Sequence, residues 1–285
     1  MAHFANFRLL EPANIAMIRI QRCFILASLV AMVVFHDGIL FGQDLPPCRQ
    51  AHAHNDYLHE RPLLDALDCG FCSVEADIYL VDGKLLVAHT QSELSPERTL
   101  QSLYLDPLRA RIKKNSGKVH VTGESFTLLI DIKSEGKSTY RALYTLLSEY
   151  RDILSYVESG TVHPGAVTAV VSGNRATDLI AADFTRYVGI DGRLSDLDSD
   201  SPDNLLPLIS DNWTLHFRWR GVGEFTQSER DKLTSIIDRA HKKKRRVRFW
   251  ATPDNPLVWA TLKEAGVDLI NTDDLKGLSR FLRER

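Results

Sequence analysis

The chain has 285 residues, 44% of them hydrophobic and 25% charged, with a formal net charge of −2. Those proportions are ordinary for a globular protein and exclude a low-complexity or disordered chain. The near-neutral balance gives no global basic field of the kind nucleic-acid binding needs, and the length fits a single barrel of alternating strands and helices, which takes roughly 250 residues.

Arg19 and Arg22 precede an apolar run from Phe24 to Phe35, interrupted only by Ser28. The run is too short for a bilayer, which needs about 20 helical residues, and a basic flank before a short apolar core is the layout of a secretory signal. Residues 1–43 are therefore expected to be a signal peptide or a mis-called N-terminal extension, with Met17 a natural start, and the protein is expected to be exported, periplasmic or extracellular. Residues 44–285 form the expected domain. They hold Cys48, Cys69 and Cys72; an odd count cannot all pair, although export would permit a bridge from Cys48 to Cys69 or Cys72.

Short runs rich in Val and Ile then alternate with helical patterns, the signal of parallel strands joined by helical crossovers. Strands are predicted at 49–53, 72–78, 127–132, 166–171, 187–190, 212–216, 247–250 and 267–270, the eight that a TIM-type (β/α)8 barrel requires. Asp82-Gly83 marks a hairpin turn into a short extra strand over 85–88. Helices are predicted at 62–67, 140–149, 174–182, 229–243, 256–265 and 275–283. The Asp-rich stretch 191–204 reads as a loop over the barrel mouth; it lacks the Asp-x-Asp-x-Asp-Gly order of a calcium loop. The basic run His241 to Arg246 reads as a solvated helix end.

In a parallel barrel the chemistry sits just past the C-terminal ends of the strands. Those positions hold His52, His54, Asn55 and Asp56 after the first strand, Glu75 and Asp77 on the second, Asp131 and Lys133 on the third, Trp250 and Asp254 on the seventh, and Asn271 and Asp273 on the eighth, with His89 after the hairpin. Glu75 and Asp77, two apart on a strand, point to the same face. Two adjacent carboxylates in an apolar strand are costly unless a cation lies between them, and oxygen donors suit Ca²⁺ or Mg²⁺. Asp131 offers a third carboxylate. Lys133 on the same face either pairs with Asp131 or stabilises a phosphoryl oxyanion. His54 and His89 can divide the proton transfers of phosphodiester cleavage, while His52 is either a further site residue or half of a metal-binding His pair.

Taken in order, His54, Glu75-Ala76-Asp77, Asp82-Gly83 leading to His89, Asp131-Ile132-Lys133, Trp250 and Thr272-Asp273 resemble the glycerophosphodiester phosphodiesterase and phospholipase-C-like superfamily. Within it the chain is similar to the branch of altered inheritance of mitochondria protein 6, through His52-Ala53-His54-Asn55-Asp56-Tyr57, Val87-Ala88-His89-Thr90, residues 102–108 and residues 208–213. The resemblance spans roughly residues 48 to 283. It implies a barrel enzyme that cleaves phosphodiesters with one Ca²⁺ or Mg²⁺ held by Glu75, Asp77 and Asp131. His54 and His89 would be its acid/base pair and Lys133 a phosphate contact. His52, Asn55, Asp56, Trp250 and Asp273 are expected to line the substrate site. The superfamily's His-Arg-Gly is replaced by His54-Asn55-Asp56, which bears on substrate choice. A small phosphodiester or phospholipid-derived substrate, peripheral membrane contact, a monomeric state and no nucleic-acid partner are the matching expectations. Two other functions fit less of the pattern: an amidohydrolase-type site using His52, His54, His216 and Asp273, and a non-catalytic ligand-binding barrel.

Overall fold

A computed structural model describes residues 45–284, together with Met1. The signal-peptide expectation for residues 1–43 falls otherwise outside the described residues. Asp44–Arg285 is one compact unit. Eight parallel strands form its centre: β1 (Cys48–Ala53), β2 (Phe71–Val81), β4 (Phe126–Ile132), β7 (Val167–Gly173), β9 (Val188–Gly192), β10 (Leu208–Asn212), β11 (Arg246–Trp250) and β12 (Leu269–Thr272). β1 pairs with both β2 and β12, so the ring closes and the fold is the expected (β/α)8 barrel. β3 (Lys84–Val87) pairs antiparallel with β2 across the Asp82-Gly83 turn, where both residues take positive φ, as a tight hairpin requires. The short strands β5 (Tyr156–Glu158), β6 (Thr161–His163) and β8 (Thr185–Arg186) make a separate sheet. They precede β7 and β9 and so lie toward the end opposite the mouth.

The side-chain alternation of the strands builds two layers of apolar contact. Val74, Ala76, Leu128, Ile130, Val171, Ile209, Phe249 and Ile270 belong to the large core shared with the helices. Leu129, Val170, Leu208 and Leu269 form a second, separate cluster, the plug inside the barrel. Two residues further along the same strands stand Asp131, Ser172, Ser210 and Asn271. The interior therefore turns polar at one level all round, and that level carries the site.

The helices are α1 (Leu64–Asp68), α2 (Asp106–Lys114), α3 (Gly136–Ser148), α4 (Thr177–Ala182), α5 (Trp213–His216), α6 (Gln227–Lys242), α7 (Pro256–Ala265) and α8 (Leu275–Arg283). α2 had no counterpart in the sequence reading. Pro256 opens α7 behind an Asn255 cap, and Gly266 ends it in the left-handed conformation. No helix among the described residues is long and apolar enough to cross a membrane.

Four expectations are corrected. The sixth strand is Leu208–Asn212 rather than 212–216. The Asn212 side chain accepts the Thr214 amide at 2.9 Å and starts a helical turn, and Trp213 is buried by stacking on Phe217 at 4.0 Å. The Asp-rich loop does not cover the mouth. Arg245, buried just before β11, donates to the carbonyls of Asp196, Leu197, Ser199 and Ser201 at 2.8, 3.2, 2.6 and 2.8 Å, which draws the loop down toward the strand starts. The basic run is correspondingly less free than a solvated helix end: His241 pairs with Asp268 and Lys243 with Asp200, both at 2.8 Å. Cys48, Cys69 and Cys72 are free thiols, so the bridge is not formed, and burial raises the thiol pKa of each.

Candidate active site

Glu75, Asp77 and Asp131 meet at the mouth. One carboxylate oxygen from each lies within 4.8 Å of the others, the one such cluster of acids, imidazoles or thiols among the described residues. Register explains the meeting: β2 and β4 run side by side with Asp77 opposite Asp131, and Glu75 lies two residues below. Asp77 Oδ1 and Asp131 Oδ1 are buried with no hydrogen-bond partner, the state of a donor set built for a cation. Gly173, with φ of 68°, packs its backbone against Asp131 so closely that a Cβ there would strike the carboxylate. Lys133 Nζ stands 2.8 Å from Asp131 and 3.1 Å from Asp77. Burial and the charge of Glu75 push Asp77 up to about 6, against the pull of Lys133.

Glu75 is controlled from beneath. Arg248, inward-facing on β11, donates to Glu75 at 2.7 Å and to the Asn271 side chain at 2.7 Å. Burial alone would raise the Glu75 pKa, but the Arg248 charge, the His52 hydrogen bond and the nearby imidazoles together outweigh it and hold the carboxyl well below the usual range. His52 is fully buried, with Nδ1 2.7 Å from the Ser73 hydroxyl and Nε2 3.4 Å from Glu75. Burial and Arg248 lower its pKa to about 3, so it supports Glu75 as a neutral ring. That corrects its expected place in the substrate site.

The two remaining imidazoles reach the solvent. His54, 27% exposed, holds Nδ1 2.8 Å from Asp273, whose own pKa is lowered by that bond. His89, 52% exposed, is brought beside Asp77 because the hairpin sets Val87 opposite Ile78. Its Nδ1 is 2.9 Å from the Tyr57 hydroxyl, which donates to Asp77 at 2.7 Å or to Asn55 Oδ1 at 2.8 Å. Burial and Asp77 raise the Tyr57 pKa far above its ordinary value, so the phenol keeps its proton. Asn55 has φ of 49°, a left-handed conformation that Asn tolerates well, and its amide lies 3.3 Å from Asp273. Asp56 departs from expectation: it is fully buried, accepts the Leu63 amide and the Tyr104 hydroxyl at 2.6 and 2.9 Å, and offers no exposed atom to a substrate. Burial pushes its pKa up to about 7. Trp250 is half-buried at the mouth with Arg193 5.0 Å over its ring.

Sequence residues 41–191 match the model of the AIM6-like phosphodiesterase domain, and residues 246–276 match that of the glycerophosphoryl diester phosphodiesterase family. The chain belongs to the AIM6-like phosphodiesterase family. Altered inheritance of mitochondria protein 6 from Eremothecium gossypii is 30% identical over 84% of this chain and 71% of that protein. The homolog from Arthroderma benhamiae is 29% identical over 81% and 82%. A solved glycerophosphodiester phosphodiesterase from Agrobacterium tumefaciens superposes with a TM-score of 0.50 at 15% identity, covering 84% of this chain and all of that one, which bears on the fold alone.

Within this AIM6-like domain, the amidohydrolase pattern does not assemble. His216 lies on α5 and pairs with Asp211 at 3.2 Å, and His52 is spent on Ser73 and Glu75. Sequence reasoning missed Tyr57 and Arg248 as parts of the site. Tyr57 follows the His54-Asn55-Asp56 segment directly, a signal that was available. Arg248 had only its place as a charged residue in an apolar strand.

Proposed function

We propose that the chain is a metal-dependent phosphodiester hydrolase acting on a glycerophosphodiester or phospholipid headgroup. The carrying observation is the grouping of two solvent-reaching imidazoles, each with Nδ1 tied to an anchored partner, around carboxylates whose buried oxygens lack partners. Glu75, Asp77 and Asp131 are the residues that would hold Ca²⁺ or Mg²⁺; such an ion supplies a Lewis acid that lowers the pKa of an attacking hydroxyl or water. Replacement of the longer Glu by Asp131 leaves a shorter arm that a flexible shell accommodates.

Cleavage needs one group to take a proton from the attacking oxygen and another to give one to the leaving oxygen. With its Nδ1 proton directed at Asp273, His54 presents Nε2 to the reaction, and Asp273 stabilises the ring when it becomes charged. His89 is oriented through Tyr57, whose hydroxyl accepts from Nδ1 and donates a hydrogen bond to Asp77 or Asn55. Lys133 brings a positive charge beside the carboxylates, where a phosphoryl oxygen gains negative charge. Purified full chain is tested on a panel of glycerophosphodiesters and phospholipids with Ca²⁺, Mg²⁺ or EDTA. Turnover should require the metal and collapse in His54→Ala; full turnover after both treatments sinks the proposal.

A further inference from the structure

The rim of the barrel carries a cationic stretch beside the carboxylate cluster. Round the ring from β1, the strand ends carry His54, then Asp77, then Asp131 with Lys133, and then two arginines, Arg175 beyond β7 and Arg193 beyond β9. Arg193 donates to the carbonyls of Asp191 and Gly192 at 3.2 and 3.0 Å, to the Asp191 carboxylate at 3.0 Å and to the Ser172 hydroxyl at 3.3 Å. Its guanidinium lies 5.0 Å over Trp250. Arg175 donates to the same Asp191 carbonyl. Two guanidinium groups therefore converge on one backbone oxygen.

That convergence is unfavourable by itself, since like charges at contact range repel. Arg175 is half-buried, and burial together with the nearby Arg193 lowers its pKa from the usual arginine value. The carboxylate between them cannot serve both: Asp191 is fully buried and occupied by Arg193, Ser172 and Ser210. Among the described residues Arg175 has no carboxylate within ion-pair distance. The pair is a half-desolvated cationic fork with donors to spare, backed by an aromatic ring. Such a fork matches the paired oxygens of a phosphate or carboxylate.

We propose that Arg175, Arg193 and Trp250 form a subsite for an anionic group that the substrate carries outside its scissile phosphodiester, a phosphate monoester or a carboxylate on one ester arm. This deepens the phosphodiesterase reading and rests on it. Spacing separates the subsite from the reacting phosphorus. Neighbouring strands are about 4.8 Å apart, and β9 lies two strands from β4, so the Arg193 backbone stands roughly 10 Å from that of Asp131. A phosphodiester held beside Asp77, Asp131 and Lys133 leaves room for a sugar ring or a short chain before the fork.

The test uses the full chain and Arg175→Met, which removes a cation without stranding the buried Asp191; an unchanged melting temperature confirms folding. Three substrates are compared: glycerophosphoinositol 4-phosphate, glycerophosphoglycerate and glycerophosphoglycerol, whose arms end in a phosphate, a carboxylate and an uncharged diol. The ratio of kcat/KM for an anionic arm to that for the diol should fall about tenfold or more in the variant, mainly through KM. The phosphate and carboxylate arms show which anion is preferred. Arg193→Lys, which keeps a charge beside Asp191 but loses the planar fork, should shift the ratio in the same direction. A ratio unchanged within about twofold in both variants overturns the proposal. Calorimetric titration of inorganic phosphate into EDTA-treated protein supplies a readout without catalysis: the parent should bind, and Arg175→Met should bind about tenfold more weakly. No binding by the parent, or equal binding by the two, overturns the subsite. If no phosphodiester is turned over at all, the hydrolase reading fails, and the titration alone decides the subsite.

Discussion

Replacing Arg248 by methionine isolates the charge on Glu75. Arg248 is 3% exposed at its side chain and donates to Glu75 at 2.7 Å. His52 cannot take over, because burial, the largest cause of its lowered pKa, persists without Arg248 and a fully buried ring resists charging. Removing one partner of a buried pair costs roughly 3–5 kcal/mol, since the survivor is left uncompensated. The sign with pH follows from the depressed Glu75 pKa. Its stabilising contribution is present above the ordinary value of 4.5 and is lost as pH falls through the folded value. Arg248→Met should abolish that contribution and flatten the acid limb of the stability profile. A cation held by Glu75, Asp77 and Asp131 is the alternative counter-charge, so the variant should bind Ca²⁺ or Mg²⁺ more tightly than the parent. Ligand at about a hundred times its Kd stabilises by about 2.7 kcal/mol, and the variant should gain more than the parent at equal metal. Urea denaturation followed by intrinsic fluorescence, in EDTA and in Ca²⁺, measures both effects. Adding Glu75→Gln to the variant should recover part of the loss in EDTA. A loss below about 1 kcal/mol, or a gap identical with and without metal, would mean that Arg248 is not the counter-charge of Glu75.

Other substitutions probe the remaining parts. His54→Ala and His89→Ala should each lower kcat by roughly 10²–10⁴ with little change in melting temperature, as both rings are partly exposed; equal activity in either variant removes that ring from the chemistry. The Asp56 pKa is raised by burial from 3.8 to about 7, so its stabilising contribution is complete below 3.8 and is lost as pH rises toward 7. Asp56→Asn keeps an acceptor for the Leu63 amide and the Tyr104 hydroxyl and should remove up to about 4 kcal/mol of that decline between pH 4 and 8, read from denaturation midpoints across pH. Parallel curves for parent and variant would contradict it. Arg245→Met should cost roughly 2–4 kcal/mol and open residues 196–201 to limited proteolysis, because four buried carbonyl contacts are lost together. An uncut loop would place its anchor elsewhere.

Much of the barrel was legible from local pattern. Apolar runs of strand length alternating with amphipathic stretches demand a parallel sheet covered by helices, and seven of the eight parallel strands lie where that pattern put them. The sixth slipped because Trp213, Leu215 and His216 look strand-like, whereas the Asn212 cap turns the chain into a helix and tertiary packing buries Trp213 against Phe217. Glu75 and Asp77 were readable as a pair because a strand repeats every two residues, and Asp131 because it interrupts an apolar strand. What the sequence alone determined is therefore which side chains point inward and how polar each level of the barrel is.

Which inward groups meet was decided by ring closure. Asp273 reaches His54 across 219 residues, and Arg248 reaches Glu75 across 173. The sequence reading held Asp273 as a substrate contact or as part of an amidohydrolase-type site, not as the partner of His54, and Arg248 not at all. His52, two residues from His54, faces the same interior yet lies one level deeper, where the absence of solvent makes it a neutral support. The two arginines just past β7 and β9 likewise become neighbours only because adjacent strands bring residues 175 and 193 to one carbonyl. Periodicity sets a side chain's direction from its nearest bonded neighbours; its depth, its charge state and its partner depend on the strands that close around it.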